Sequence, residues 1–407
     1  MSDKQKHEGP LSIYRVLDLA DGKGLYGTRL LGELGADVIK IEPPHGAPER
    51  NIPPFVGDIP RTERSLHWLY RNTSKRGITL NLDSSLGRDL FKKLVKTADI
   101  LFETFPPGHM ESLGLSYRAL SEINPGLIMV SITDFGQSGP HAHYKGSDIV
   151  NLALSGATMP CGLPDRPPCT APGSLANDIA AIFGAAGAML ALFDRGATGQ
   201  GQYVDISAQE AAIDGMVPWM IPGYSLCVAN GTIAGFRMRW RMGPLLTIPC
   251  KDGYFTFNVM NEKHRKGFLE LMGRPPALVE WVKNTPVSEM LVRMMEFIEL
   301  CTPYFKEYTQ QELFIRGQEL GVPTCPIYYL NQFVEDRHIK ARGFFTEVKH
   351  PEVGSALYPG VPFKMTETPP AIRCPAPTLG QHNIEIWCDE MGLSRDELVA
   401  LRGAGVI

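Results

Sequence analysis

The stretch IYRVLDLADGKGLYGTRLLGELGADVIKIE, residues 13–42, decides the fold class of this 407-residue chain. Its first apolar run, at residues 13–19, predicts a strand, and the leucines between residues 24 and 34 recur at helical spacing. Residues 38–42 predict a second strand. A strand, a helix and a strand in succession form the unit from which parallel sheets are built, so the stretch predicts an α/β fold with a mainly parallel sheet.

The same alternation of strand and helix signals continues to residue 135. It predicts three further strands, at residues 78–82, 100–104 and 127–133, and one amphipathic helix at residues 84–97. We expect this region to form the sheet of a large domain that occupies residues 1–215.

A smaller α+β domain is predicted for residues 225–330, and residues 340–407 are expected to return to the large domain. Residues 251–253, KDG, predict a hairpin turn, and residues 261–320 show helical patterns. Ser394 and Glu397 have the spacing of a capping box, which predicts a last helix that ends before Gly403.

Composition excludes several classes of protein. A formal net charge of −4 argues against a general nucleic-acid-binding surface, although it allows a local basic pocket. The eight cysteines contain no C-x-x-C pair, which indicates reduced thiols and no zinc site. The first ten residues lack the apolar core of a signal peptide, and the uncharged run at residues 179–193 is shorter than the ~20 residues of a membrane span. We expect a cytoplasmic protein without membrane association.

A G-x-G-x-x-G pattern at residues 22–27 follows a predicted strand and precedes a predicted helix, and Glu42 closes the next strand. This arrangement is the fingerprint of dinucleotide binding, and alone it suggests a nicotinamide-dependent oxidoreductase. The other interpretation is that the glycines only permit a tight turn. Asp21 and Lys23 favour the tight turn, because they place bulky polar side chains where a pyrophosphate would have to fit.

Asp178 stands at the head of the apolar run of residues 179–193, within the stretch NDIAAIFGAAGAMLALFDRG. Asn177 and Asp178 are residue types that cap helices, and capping is one interpretation. The other is a nucleophile that the helix dipole keeps ionised. Gly184 and Gly187 would let another backbone or a thin ligand approach this helix.

Two groups of cations are candidates for anion binding. Lys75 and Arg76 precede a predicted strand, where they would either hold phosphates or remain solvated loop charges. Arg237, Arg239 and Arg241 alternate, so on a strand they would share one face and form either an anion clamp or a solvated edge.

The loop at residues 133–156 carries His141 and His143 ahead of an apolar helix. The two histidines have poor spacing for a metal, and no carboxylate or cysteine completes a ligand set. We expect no metal site.

Several segments, in the same order along the chain, resemble the family III CoA-transferases, which include formyl-CoA transferase and carnitine CoA-transferase. They are RVLDLADGKG with LLGELGADVIKIEPP, NTSKRGITLNLD, FETFPPGHMESLGLSYRALSEINPGLIMVSITDFGQSGP, NDIAAIFGAAGAMLALFDRGATGQGQYVDIS, PCKDGYF, GVPTCPIYYLNQFVEDRHIKARGFF and the tail beginning LGQHNIEI. The resemblance implies a Rossmann-like large domain without NAD, a smaller domain, and two chains interlocked as a dimer.

The resemblance also implies a mechanism. Asp178 would attack an acyl-CoA thioester to give a mixed anhydride, and the CoA thiolate would then form an aspartyl-CoA thioester that the acceptor acid reverses. Acyl-CoA and the acid are substrates, and no cofactor is tightly bound. Covalent catalysis of this kind divides one difficult exchange into easier steps.

Five further positions match CoA or substrate contacts of that family. Lys75, Arg76 and Lys145 match basic contacts to CoA, Phe105 matches an aromatic residue near adenine and pantetheine, and Asp148 matches a residue near the reacting carboxyl.

The chain departs from the family pattern at three places. Thr104, which we also expect to contact CoA, replaces an asparagine in the CoA-contacting stretch, and Ser112 stands where a basic residue is common. The arginines at 237, 239 and 241 replace a glycine-rich loop and would suit a second carboxylate of the substrate.

We therefore expect CoA transfer from succinyl-CoA or a similar donor to an aromatic or dicarboxylic acid such as benzylsuccinate, by a homodimer or by a heteromer with a homologous subunit. One alternative is an acyl-CoA racemase or isomerase of the same fold, although Ser147 stands where racemases have a histidine. The other is a non-catalytic partner subunit.

Overall fold

A computed structural model describes residues 9–158, 161, 166–216, 247–259, 261–286 and 293–407. The chain divides into two compact units. The large unit comprises Met1–Ser155, Pro172–Pro218 and Arg342–Ile407, and the small unit comprises Gly156–Ala171 and Trp219–Ala341.

The large unit is built on a parallel sheet of six strands. The strands are β1 Arg15–Asp18, β2 Asp37–Glu42, β3 Lys75–Thr79, β4 Ile100–Glu103, β5 Ile128–Thr133 and β6 Tyr203–Ser207. Their order across the sheet is β3-β2-β1-β4-β5-β6, and every pairing is parallel. This is the doubly wound order, which reverses direction between β1 and β4. The predicted α/β fold with a parallel sheet is confirmed.

Helices accompany these strands in the described residues up to Met216. They are α1 Leu25–Glu33, α2 Leu66–Arg71, α3 Ser85–Val95, α4 His109–Ser112, α5 Tyr117–Ile123, α6 Asp148–Leu154, α7 Leu175–Thr198 and α8 Ala208–Met216. Short 3-10 turns lie at Pro48–Asn51 and Val56–Asp58.

Both faces of the sheet are buried. Successive strand residues point to opposite sides of the sheet, so each strand contributes side chains to two cores. On β1, Val16 belongs to a core that contains the alanines of α7, whereas Leu17 belongs to a second core with Phe91 of α3 and Trp387 near the carboxyl terminus. Every residue of β5 is buried. The near-continuous apolar runs that predicted the strands are therefore the signature of a sheet covered on two sides.

The described residues of the small unit form a three-stranded antiparallel sheet and an aromatic core. Its strands are β7 Ile248–Pro249, β8 Tyr254–Phe257 and β9 Thr324–Ile327. Its helices are α9 Glu262–Leu271, α10 Pro276–Asn284, α11 Met294–Phe305, α12 Gln310–Glu319, α13 Leu330–Glu335 and α14 Arg337–Ala341. Phe257 contacts the rings of Phe268, Phe297 and Phe305 at the centre of this core. The hairpin predicted at residues 251–253 joins β7 to β8 and is confirmed.

The chain then completes the large unit with an antiparallel pair, β10 Phe345–His350 and β11 Gly354–Pro359, a π-helix at Ile384–Glu390 and α15 Arg395–Gly403. The capping box predicted at Ser394 and Glu397 is present, with both reciprocal hydrogen bonds formed.

Small residues allow α7 to lie close to the sheet and to α1. A Cβ atom on Gly184 would lie 3.0 Å from Ile132 Cδ1, and one on Gly187 would lie 2.9 Å from Val204 Cγ1. On the adjoining side, a Cβ on Gly27 of α1 would lie 2.3 Å from the carbonyl oxygen of Ala181. The sheet occupies the space beside Gly184 and Gly187, so of the two predicted uses of these glycines, the structure shows the close approach of another element and not of a ligand.

The length and hydropathy of α7 also satisfy the requirements of a membrane-spanning helix. Core helices of globular proteins meet the same requirements, and one such helix is weak evidence for a membrane span. Here α7 packs against α1, α8, β5 and β6.

We expect Gly27→Ala to lower the free energy of unfolding by about 1–3 kcal/mol, because the added methyl group must displace the Ala181 backbone. Gly196→Ala in α7 is the matched control. Its Cβ would meet nothing within 4 Å, so removal of a helical glycine there should stabilise the protein by up to about 1 kcal/mol. Urea denaturation of both variants measures the difference, and equal effects would contradict the close approach of α1 to α7.

Candidate active site

Asp178 lies in the first turns of α7, where its carboxylate is held by Arg71, the last residue of α2. Arg71 Nη1 donates to Asp178 Oδ1, and Nη2 donates to Oδ2 at 3.0 Å. The Arg71 side chain is 7% exposed and that of Asp178 is 30% exposed. Two parallel charge-assisted bonds fix both the position and the plane of the carboxylate.

The cap of α7 is supplied by another residue. Ser174 is the N-cap residue but accepts no side-chain hydrogen bond. Instead, Asp148 Oδ1, from the first turn of α6, accepts the backbone N–H of Asn177 at 3.0 Å. The prediction that Asn177 and Asp178 cap this helix is therefore wrong, because Asp148 takes the exposed amide and leaves the Asp178 carboxylate to Arg71.

Asp148 and Asp178 thus meet around one helical turn. Burial raises the pKa of Asp148, the backbone N–H groups at the start of α7 oppose that rise, and the negative charge of Asp178 adds to it.

Two neutral side chains adjoin the ion pair. His67 lies one turn before Arg71 on α2. Burial lowers the pKa of His67 to about 4, the Arg71 charge lowers it further, and Asp178 opposes the shift. Burial also raises the pKa of Tyr26 to about 12. At neutral pH His67 and Tyr26 are therefore uncharged, and the positive charge that faces Asp178 belongs to Arg71.

The glycine-rich turn after β1 extends from this ion pair towards the carboxyl edge of the sheet. A Cβ on Gly22 would lie 3.8 Å from His67 Cε1, and one on Gly24 would lie 3.3 Å from Thr104 Cγ2. The Asp21 N–H donates to Thr104 Oγ1 at 2.8 Å. The turn therefore connects the surroundings of Asp178 with the point where the strand order reverses.

Two adjoining cavities open at this reversal, where doubly wound proteins bind ligands. The larger, of about 950 Å³, is lined by the ends of β1, β2 and β4 and by the residues that follow β3. The smaller, of about 240 Å³, is lined by Lys23, His143 and Lys145, and both cavities share Thr104 and Phe105. The structure thus brings together three predicted CoA contacts, Thr104, Phe105 and Lys145.

The larger cavity is lined by the acidic residues Asp21, Glu42, Glu49 and Asp83. Its lysine, Lys40, is buried and donates to the Ala20 carbonyl. Lys145 is exposed and faces the smaller cavity, whereas Lys23 is half-buried there and forms an ion pair with Asp21 at 2.6 Å.

Lys75 and Arg76 are the first residues of β3 and not part of a loop before it. Lys75 is buried, and its Nζ donates to Asp18 Oδ2 at 2.9 Å and to Asn72 Oδ1 at 3.0 Å. Burial lowers the pKa of Lys75 to about 8, against the opposing effect of Asp18. The buried ion pair explains why the strand begins three residues before its predicted start.

Arg76 pairs with Asp37 at 2.7 Å, with Glu385 at 2.6 Å and with Glu390. Both cations are thus bonded to groups of the same chain. Their contact with CoA phosphates stays a prediction. Arg237, Arg239 and Arg241 lie outside the described residues.

Reasoning from the sequence missed Arg71, His67 and Lys23. A signal for Arg71 was present, because it follows the buried Trp68 at i+3 on α2 and so shares its inward face. A charge on a buried helical face requires a partner. The sequence does not indicate which carboxylate that partner is.

Fold and site together define an α/β protein that holds a carboxylate at the start of a core helix, beside a ligand cavity at the carboxyl edge of a parallel sheet. The chain belongs to CoA-transferase family III, whose sequence profile matches residues 11–383. It is therefore a CoA-transferase and acts on CoA thioesters. The glycine pattern at residues 22–27 accordingly serves a turn and helix packing in this fold.

The chain is similar over nearly its whole length to transferases that use succinyl-CoA. It is 33% identical to succinyl-CoA–D-citramalate CoA-transferase of Chloroflexus aurantiacus, over 99% of each chain. It is 31% identical to the BbsE subunit of succinyl-CoA:(R)-benzylsuccinate CoA-transferase of Thauera aromatica, over 92% of this chain and 93% of that one. The crystal structure of a CAIB/BAIF family protein from Brucella suis superposes with a TM-score of 0.79 and 28% identity, covering 94% of this chain and 99% of that one.

The lowered pKa of His67 predicts a loss of stability in acid. As the pH falls from about 6.5 to about 4, the unfolded chain binds a proton at His67 that the folded chain does not, so folding is weakened. We expect the wild type to lose about 1–2 kcal/mol more unfolding free energy over this range than His67→Gln, after allowance for partial exposure.

Urea denaturation at pH 7 and pH 4.5 measures this difference. His45→Gln, at an exposed histidine of the same unit, is the control and should follow the wild type. Equal losses in the wild type and in His67→Gln would show that the pKa of His67 is not lowered in the folded protein.

Proposed function

We propose that the protein transfers CoA from succinyl-CoA to a second carboxylic acid, with Asp178 as the nucleophile. The observation that carries the proposal is the placement of the Asp178 carboxylate. It lies in the first turns of α7, it is aligned by Arg71, and it is freed from capping by Asp148. The relatives that use succinyl-CoA act on citramalate, malate and benzylsuccinate, which supports a dicarboxylic or aromatic acceptor.

The first half-reaction has two steps. An Asp178 carboxylate oxygen attacks the thioester carbonyl, the C–S bond breaks, and a mixed anhydride and CoA thiolate are formed. The thiolate then attacks the Asp178 carbonyl carbon, the anhydride C–O bond breaks, and the donor acid leaves as a carboxylate. Asp178 is left as a CoA thioester, so the energy of the original thioester is retained.

The second half-reaction repeats these steps in reverse. The acceptor carboxylate attacks the aspartyl-CoA thioester, which releases the thiolate and forms a new anhydride. The thiolate attacks the acceptor acyl carbon, and Asp178 returns as a carboxylate. One negative charge is present at the site at every stage, so no proton has to be transferred.

The two cavities at the sheet edge suit the CoA moiety. Lys23 and Lys145 line the smaller cavity and would attract its phosphates, and Phe105 would contact its ring or pantetheine chain. The glycine-rich turn connects this edge with the surroundings of Asp178. Arg237, Arg239 and Arg241 would hold a second, non-reacting carboxylate of the acid.

A partner subunit is the second candidate function. Among the relatives are the BbsE subunit and the alpha and beta subunits of succinyl-CoA–L-malate CoA-transferase of Chloroflexus aurantiacus. We therefore propose that the active assembly contains either two copies of this chain or this chain with a homologous subunit.

Incubation with succinyl-CoA, followed by hydroxylamine, should place a hydroxamate on Asp178 that mass spectrometry of the α7 peptide detects. Asp178→Asn should abolish labelling and lower kcat/KM by at least about a thousandfold, because it removes the nucleophile. Asp194→Asn, at an exposed carboxylate of the same helix, should retain both.

Three other outcomes separate the alternatives. Full activity of Asp178→Asn would refute the proposal. No turnover by this chain alone, with turnover after addition of a homologous subunit, would assign it the partner role. Solvent deuterium at the α-carbon of the acyl-CoA without an acceptor acid would indicate a racemase or isomerase.

A further inference from the structure

The guanidinium of Arg71 is buried at the end of α2, and both of its terminal nitrogens donate to Asp178. In the ranges that the structure describes, Asp178 is the only carboxylate that forms an ion pair with Arg71. A buried cation of this kind is strongly disfavoured without an anionic partner. Any chemistry that neutralises Asp178 therefore also takes away the partner of Arg71.

We propose that Arg71 is the binding site for the reacting carboxylate of the substrate acids. It holds the Asp178 carboxylate in the resting enzyme. It holds the carboxylate of the leaving or entering acid while Asp178 is bonded to CoA. This inference rests on the proposed function, because it concerns the stages at which Asp178 is acylated.

The charges in the reaction lead to this exchange. When the thiolate attacks the anhydride at the Asp178 carbonyl, the electron pair of the broken C–O bond leaves on the donor acid. The negative charge that Asp178 has lost thus reappears on a second carboxylate within bonding distance of the same atoms. A guanidinium that holds this carboxylate therefore has a carboxylate partner both in the resting enzyme and in the aspartyl-CoA state. In the two anhydride states between them, the negative charge lies on the CoA thiolate.

The geometry of Arg71 suits this exchange. A planar guanidinium binds any carboxylate by the same two parallel hydrogen bonds, whereas an ammonium group acts as a point charge. An acid held in the place of the Asp178 carboxylate would lie next to the Asp178 carbonyl carbon that it must attack, which is the proximity that an exchange reaction requires. Burial lowers the pKa of His67, so His67 is uncharged at neutral pH and does not supply this cation instead.

Removal of the Asp178 carboxylate provides a test that needs no turnover. Asp178→Ala leaves Arg71 without its internal partner, so succinate should bind there in its place. We expect isothermal titration calorimetry to show succinate binding at least about tenfold tighter to Asp178→Ala than to the double variant Asp178→Ala/Arg71→Gln. The double variant Asp178→Ala/Arg71→Lys should show intermediate affinity. Circular dichroism and the melting temperature check that each variant is folded.

Asp178→Asn, which keeps the size of the side chain, repeats the comparison if Asp178→Ala does not fold. Equal succinate affinity with and without Arg71, or no binding by folded Asp178→Ala or Asp178→Asn, would overturn the proposal.

Kinetics with Asp178 intact provide a second readout. Arg71→Gln should raise KM for the acceptor acid at least about tenfold while KM for succinyl-CoA changes about twofold or less, because the thioester carries no free reacting carboxylate. Arg71→Lys should restore part of the loss. A rise confined to KM for succinyl-CoA, or a fall in kcat alone, would contradict the role given to Arg71.

The two proposals fail in different ways. Arg71-dependent binding of succinate without labelling of Asp178 would leave the carboxylate site in place and refute the nucleophile. Labelling of Asp178, together with succinate binding that does not depend on Arg71, would support the nucleophile and refute the carboxylate site at Arg71.

Discussion

The close packing of α7 against the sheet and α1 is the constraint on which the rest of the site depends. Gly184 and Gly187 allow the helix to lie on β5 and β6, and Gly27 allows α1 to approach the Ala181 carbonyl. Protein interiors are close-packed and resist deformation, so a helix that is packed on two sides has a defined position. Asp178 lies less than one turn before Ala181, so the position of its backbone is defined as well. The apolar composition of α7 thus serves the placement of one ionised group.

The carboxylates of Asp148 and Asp178 both lie at the start of α7, but they have different roles. Asp148 accepts the N–H of Asn177, which the helix leaves without an internal partner, and burial raises its pKa. Asp178 therefore needs to satisfy no amide and is bound by Arg71 alone among the charged groups described around it. A carboxylate that is held by one guanidinium, which can also bind another carboxylate, is better suited to react than a carboxylate that is held by helix amides.

Buried charge is used in two distinct ways in the large unit. Lys75 is enclosed with Asp18 and Asn72 beneath the glycine-rich turn, where the ion pair joins β1 to β3. Lys23 and Lys145 instead line a cavity at the carboxyl edge, where we propose that CoA binds. In the sequence, these three lysines look alike. Only their distance from the carboxyl edge of the sheet distinguishes the structural lysine from the candidate ligand contacts.

Local periodicity and the order of motifs were enough to predict the α/β class, the hairpin at residues 251–253, the last helix with its capping box, and membership in the transferase family. Which side chains meet depends on the tertiary structure. Arg71 and Asp178 are 107 residues apart in the sequence, and Asp148 is 29 residues away from Asn177, whose backbone N–H it accepts. Such pairings follow from strand order and helix packing, which no local pattern encodes. The same reason explains why Lys75, a cation in a loop by its sequence, is the buried first residue of a strand.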